Sequence, residues 1–180
     1  SRPYDANRDG FVISGGGGIV VLEDWDMAVA RGANILAELV GYGAASDGAD
    51  MVAPSGEGAV RAMNEALEGF YGNSIDPSNV AYVNAHGTST PAGDITELDA
   101  ISKVFGDHKP WVGSTKSMTG HALGAAGSNE AIYTLLMMQN GFMAKSLNII
   151  DRDEGAAASN LLTERQDGQF DYALSKSFRS

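Results

Sequence analysis

Two histidines stand in similar surroundings: His86 within Asn84-Ala85-His86-Gly87-Thr88-Ser89-Thr90-Pro91-Ala92-Gly93-Asp94, and His121 within Gly113-Ser114-Thr115-Lys116-Ser117-Met118-Thr119-Gly120-His121-Ala122-Leu123-Gly124. Each follows a short apolar run and lies in a Gly/Ser/Thr-rich segment leading towards a helix, where scaffolds tend to carry catalytic groups. With a reference pKa near 6.5, histidine is mostly neutral at about pH 7, so one ring nitrogen can donate a hydrogen bond to a carbonyl or enolate oxygen. Two imidazoles and the Lys116 ammonium converging from separate strand exits would suit a developing oxyanion, and one such donor is typically worth about 2.7 to 4 kcal/mol. Glu97 is the acid expected to pair with Lys116 and hold the cluster in register, because buried charges need partners.

Other chemistries fit these residues less well. A histidine beside glycine after a strand is often a turn residue or a satisfied core group, a plainer alternative for both His86 and His121. His108 sits in the charged turn Asp107-His108-Lys109-Pro110 and is expected to be structural. His86, Asp94, Glu97 and His121 have no HExxH-type spacing, so no metal is expected. No GxSxG elbow marks a serine hydrolase. The chain contains no cysteine, so it has no disulfide, thiolate metal site or cysteine nucleophile of its own.

The elements that must position the two loops follow from hydrophobic period and turn chemistry. Val80-Ala81-Tyr82-Val83 reads as a strand delivering His86, and Trp111-Val112-Gly113-Ser114-Thr115 as one delivering Lys116. Asp94 and Glu97 fit a capping box for a helix bearing Ile95, Leu98, Ile101 and Phe105. Gly124 to Asn140 predicts a largely apolar helix buried on more than one side and ended by Gly141. Upstream, Ser55 is the expected N-cap of a helix reaching Phe70, with a core stripe of Val60, Met63, Leu67 and Phe70. Phe11-Val12-Ile13, Ile19 to Leu22 and Ile35 to Val40 read as further strands, and Asp24 to Ala33 as a short helix. Between the first two strands, the glycine run Gly15 to Gly18 suits close backbone approach. Asp151 to Ala158 is expected to be surface loop, and Tyr172 to Phe178 a last strand. Strands alternating with helices predict an α/β fold with a mixed sheet covered on both faces.

With 180 residues the chain is long enough for one conventional core. Its formal charge of −11 disfavours nonspecific binding to nucleic acid or an anionic membrane. No apolar run is long enough to span a bilayer and Ser1 to Asp5 has no signal-peptide pattern, so a cytoplasmic location is expected.

The two histidine segments resemble the histidine motifs of β-ketoacyl-[acyl-carrier-protein] synthases. Arg8-Asp9-Gly10-Phe11-Val12 with Gly15-Gly16-Gly17, and Ser46-Asp47-Gly48 before Pro54, resemble that family too. The resemblance is nearest to the type I enzyme of bacterial fatty-acid synthesis, and it implies a thiolase-like fold in which two similar halves build αβαβα layers. It assigns residues 1–34 to the tail of the N-terminal half. Residues 35–180 become the C-terminal half, ending before the family's glycine-rich segment and without its last strand: Ser175-Lys176-Ser177-Phe178 is followed by Arg179-Ser180.

The resemblance also implies roles. His86 and His121 would stabilise the enolate or thioester oxygen and support decarboxylation. Lys116 would be the active-site lysine, Glu97 its acidic partner, and Asp94 a structural or water-ordering acid. Thr88 and Thr90 would hydrogen-bond the phosphopantetheine arm of acyl carrier protein, which carries the substrates, so no separate cofactor is implied. The family's nucleophilic cysteine lies in the first half; this chain is therefore expected to carry part of an acyltransferase site and to be inactive in condensation by itself. Its expected partners are acyl carrier protein and either a second copy or a cysteine-bearing ketosynthase half. A noncatalytic carrier-binding or assembly module, or an inactive truncated gene product, is the alternative.

Overall fold

A computed structural model describes residues 1–48 and 55–178; Pro54 and Arg179-Ser180 lie outside the described residues. The strands are β1 (Val80–Asn84), β2 (Trp111–Gly113), β3 (Phe142–Met143), β4 (Asn160–Leu161), β5 (Gln166–Asp167) and β6 (Tyr172–Ser175). Four of them form a parallel central sheet in the order β4-β2-β1-β6. Antiparallel pairing occurs apart from it, between β3 and β5. The helices are α1 (Trp25–Ala30), α2 (Glu57–Glu68), α3 (Gly93–Phe105), α4 (Lys116–Thr119) and α5 (Ala126–Asn140). The α/β class expected from the alternation of elements is the one observed.

β1 is central and apolar along most of its length, as a strand between two helical layers must be. A register shift between Val80 and Tyr82 places Val80, Val83 and Ala85 in one core, with Leu98, Ile101 and Phe105 of α3 and Met63 and Leu67 of α2. Tyr82 enters the other core, with Met137 of α5, Met143, Leu162 and Phe170. Asn84 belongs to this second face, where its amide donates to Thr134 Oγ1 of α5 at 3.3 Å. Helices thus cover both faces, and the C-terminal ends of β1, β2 and β6 open side by side.

Several elements differ from expectation for identifiable reasons. Asp94 and Glu97 do not form a capping box: the N-cap is Ala92, with no side-chain cap bond, and both carboxylates turn to backbone N–H groups of the preceding loop. Gly56, at φ +83°, caps α2 in place of Ser55, whose hydroxyl still accepts from Glu57 N–H at 3.2 Å; Gly69 stops the helix before Phe70. Only one stripe of α5 is buried, Ala126, Glu130, Thr134 and Met137, while Leu136 remains exposed. The segment from Asp151 is not all surface, since Ala156 is fully buried in the main core.

The three expected strands before residue 41 are not strands. Ile13 makes a single parallel bridge to His121, and neither Ile19 to Leu22 nor Ile35 to Val40 enters a strand pairing among the described residues. Strand-forming composition gains little without a neighbouring edge to complete the ladder. Gly16 and Gly18 do make the close approach expected of the glycine run, passing against Asn129 and Ser128 of α5. Among the described residues no helix is long and apolar enough to cross a membrane.

Candidate active site

Ligands of open parallel sheets are found beyond the C-terminal ends of the strands. Here β1 leads to His86, β2 to Lys116 at the start of α4, and β6 to Lys176, whose N–H continues the ladder by donating to Asn84 O at 3.0 Å. His121 follows α4 in the turn after Gly120. The N-terminal segment holds it on both sides: His121 N–H donates to Val12 O at 2.8 Å, and Ser14 N–H donates to His121 O at 3.0 Å. Gly120 has φ +72°, and a Cβ there would lie 2.8 Å from Val12 O, so glycine is what permits this approach.

The two imidazoles meet. Their ring centroids are 5.2 Å apart and their planes nearly perpendicular at 86°. Phe11 lies at 5.0 Å from the His121 ring and Phe178 at 5.8 Å from the His86 ring, each edge-on.

His121 Nδ1 accepts a hydrogen bond from Leu123 N–H at 3.1 Å. That nitrogen therefore carries a lone pair, and the neutral ring has its proton on Nε2. His86 Nδ1 is buried and finds no partner among the described residues. A buried orphan N–H is rarer than an under-satisfied acceptor, which places the His86 proton on Nε2 as well. Burial, and next the Lys116 cation, holds the His86 imidazole down to about 3 against the opposing pull of Glu97, with His121 and Lys176 adding to the depression. Burial and Lys116 also lower His121. Both rings are thus neutral donors at neutral pH.

The carboxylates are arranged differently from expectation. Lys116 pairs with Glu130 of α5, not with Glu97, and both partners are almost fully buried. Burial raises the Glu130 carboxyl to about 7 in spite of the Lys116 cation beside it. Glu97 instead accepts from His86 N–H and Gly87 N–H, each at 2.8 Å, and pairs with Lys176 at 3.1 Å. Burial alone would raise Glu97, but Lys176, His86 and the two backbone donors together bring it below the usual carboxylate range. The reason is geometric: Glu97 lies on α3 directly beneath the loop that leaves β1, whereas α5 crosses the face where Lys116 is buried.

Asp94 has a structural place. It accepts from Tyr4, Ser89 and Thr90 N–H at 3.0, 3.0 and 3.3 Å, and Arg8 lies 3.7 Å away. Its pKa is raised to about 6, chiefly by burial. Arg8 also donates to Thr90 O, Pro91 O, Asp5 O and Asp153, which ties the N-terminal segment to the His86 loop. Thr88 and Thr90 sit in that loop with their hydroxyls 3.2 Å apart. Gly87, at φ +33°, brings the loop so close to β2 that a Cβ would fall 2.6 Å from Ser114 Cβ. His108 stays apart, its Nε2 at 2.8 Å from Val80 O at the opposite end of β1.

Four participants escape a reading of residue types. Glu130 and Lys176 are legible in principle, as a lone acid inside an apolar helix and a lone base at the end of an apolar strand; Phe11 and Phe178 look like ordinary core residues until the chain is folded.

Known proteins resemble this chain in sequence and in fold. Residues 36–150 match the family model described as beta-ketoacyl synthase, C-terminal domain. The 3-oxoacyl-[acyl-carrier-protein] synthase 1 of Escherichia coli (strain K12) is 59% identical over 178 residues, covering 99% of this chain and 42% of that protein. The enzyme of the same name from Haemophilus influenzae is 58% identical, covering 99% and 43%. Among solved structures, a beta-ketoacyl synthase from Burkholderia phymatum STM815 superimposes with a TM-score of 0.89 at 39% identity, over 99% of this chain and 43% of that one. A type II polyketide ketosynthase solved in complex with its acyl-carrier protein gives a TM-score of 0.88 at 35% identity, covering 96% and 43%. The chain therefore spans about two fifths of the length of these relatives.

Proposed function

The chain belongs to the beta-ketoacyl synthase family, and from that premise we propose that it carries the oxyanion-stabilising part of a decarboxylative condensation site. The observation that carries this reading is the His86–His121 pair, two rings 5.2 Å apart; in the neutral tautomers inferred from their Nδ1 surroundings, each offers Nε2–H as its donor. Loss of carbon dioxide from a malonyl thioester leaves an enolate, whose oxygen gathers negative charge as the C–C bond breaks. Two preorganised N–H donors at that oxygen lower the barrier without a proton being transferred. Burial beside Lys116 serves the same end, because it keeps each ring neutral before the charge develops.

Thr88 and Thr90, on the His86 loop, are assigned to the pantetheine arm, and acyl carrier protein is the proposed donor of substrate. With no cysteine among the 180 residues, the acyl-accepting nucleophile has to come from outside them. The apolar side chains of residues 11–29 suggest where that remainder docks: Ile13, Ile19, Val21, Leu22 and Met27 are each exposed by more than 60%, an apolar patch that a soluble monomer rarely maintains. Light scattering at micromolar concentration is expected to show self-association of the isolated chain, reversed when a cysteine-bearing ketosynthase half is added. A monodisperse monomer indifferent to that half would contradict the docking assignment.

The catalytic assignment is tested by a chimera joining residues 1–178 to the remainder of a close relative. It should release carbon dioxide from malonyl-carrier protein, and changing His86 and His121 together to alanine should slow that release by about 10²-fold or more. Equal release with and without the two histidines would overturn the reading.

A further inference from the structure

We propose that Lys176 is a positioning residue for His86, acting through Glu97. No role for it follows from the histidine motifs, and its sequence context marks it only as a lone base closing an apolar strand. In the fold its side chain is 7% exposed, with Nζ 3.1 Å from Glu97 Oε1. The same Oε1 receives His86 N–H, and the other carboxylate oxygen receives Gly87 N–H. Lys176 is thus separated from the backbone of the histidine by a single carboxylate.

A second route runs through Phe178. Lys176 Nζ lies 4.1 Å from the centre of the Phe178 ring, which in turn meets the His86 imidazole edge-on. One ammonium therefore fixes both the main chain beneath His86 and the aromatic wall beside its ring. The pairing has an electrostatic consequence. Glu97 without Lys176 would be an unbalanced buried anion under the imidazole, favouring protonation of a ring that has to remain a neutral donor.

The groups facing His86 are Glu97 from α3, Lys116 from α4, His121 beyond α4, and Lys176 beyond β6. Glu130 of α5 is engaged by Lys116, and from the N-terminal segment Tyr4, kept neutral chiefly by burial, packs at Gly87. Lys176 is one of the cations that depress His86, so removing its charge should raise the His86 pKa.

The inference rests on His86 serving as an oxyanion donor, but its test needs no turnover, so the two can fail separately. Histidine-labelled protein is titrated by NMR in the native form, in Lys176→Met and in Lys176→Arg. The methionine variant should titrate His86 higher than the native protein does, and arginine should restore the native midpoint. An unshifted His86 in a folded Lys176→Met protein would overturn the proposal. If that variant does not fold, acid titration of the native protein decides. The Glu97 carboxyl, Lys176 Nζ and the His86 and Gly87 amides should shift with one common midpoint, and separate midpoints would refute a shared unit.

Discussion

Replacing His121 by alanine in the chimera is expected to slow carbon dioxide release from malonyl-carrier protein by about 10²–10³-fold, as loss of one oxyanion donor does elsewhere. The loss should appear in kcat with KM little changed, because the donor is needed where charge develops and not where the thioester first binds. The fold should survive. His121 is held by its main chain, through Val12 O and Ser14 N–H, and both bonds persist in alanine. Only the Leu123 N–H loses its acceptor, and Leu123 is half exposed, so water can replace the ring nitrogen. His86→Ala should have an effect of similar order. The double variant should fall short of the product of the two, since both donors serve one oxygen and act as a unit.

The largest stability effect is expected at Lys116. Lys116→Met removes the partner of a buried carboxyl, and breaking such a pair from one side typically costs about 3–5 kcal/mol. Removing both groups, as Lys116→Met with Glu130→Gln, should recover most of the loss, because the cost lies in burying a carboxyl that must either stay charged without its partner or take up a proton. The pH dependence has a definite sign. Glu130 has a folded pKa of about 7 against a reference of 4.5, so the folded state binds its proton more tightly than the unfolded state. That contribution is fully favourable below about 4.5 and declines as pH rises towards about 7. Without Lys116 the carboxyl moves higher still, and the single variant should lose stability over a window extending further into neutral pH. Urea denaturation at several pH values measures this; a double variant no more stable than the single would contradict the pairing.

How far the sequence leads depends on whether a feature is local. β1, β2 and the two histidine loops are legible because each is a short apolar run feeding a Gly/Ser/Thr segment, and their convergence follows from lying at adjacent parallel strand ends. The helix after Asp94 is legible from its apolar spacing, but the partners of its carboxylates are not. Spacing makes Asp94 and Glu97 look like a capping pair, while the fold bends the His86 loop back over them and presents better donors. Membership of the motifs matches Glu97 to Lys116; Glu130, lying 14 residues beyond Lys116 on another helix, becomes available only when α5 crosses that face. The apolar runs at Ile19 to Leu22 and Ile35 to Val40 show the same limit. Composition announces a capacity for strand, and pairing requires an edge that these described residues do not supply.

The proposed chemistry lies where three strand ends meet, and it requires neutral imidazoles. Nitrogen-15 chemical shifts of labelled histidine at about pH 7 test that most directly. His86 and His121 should each show a protonated Nε2 and an unprotonated Nδ1, unchanged on acidification until below the ordinary histidine pKa, and for His86 down to about 3. An imidazolium at either position at neutral pH, or a proton on Nδ1 of His121, would contradict the account.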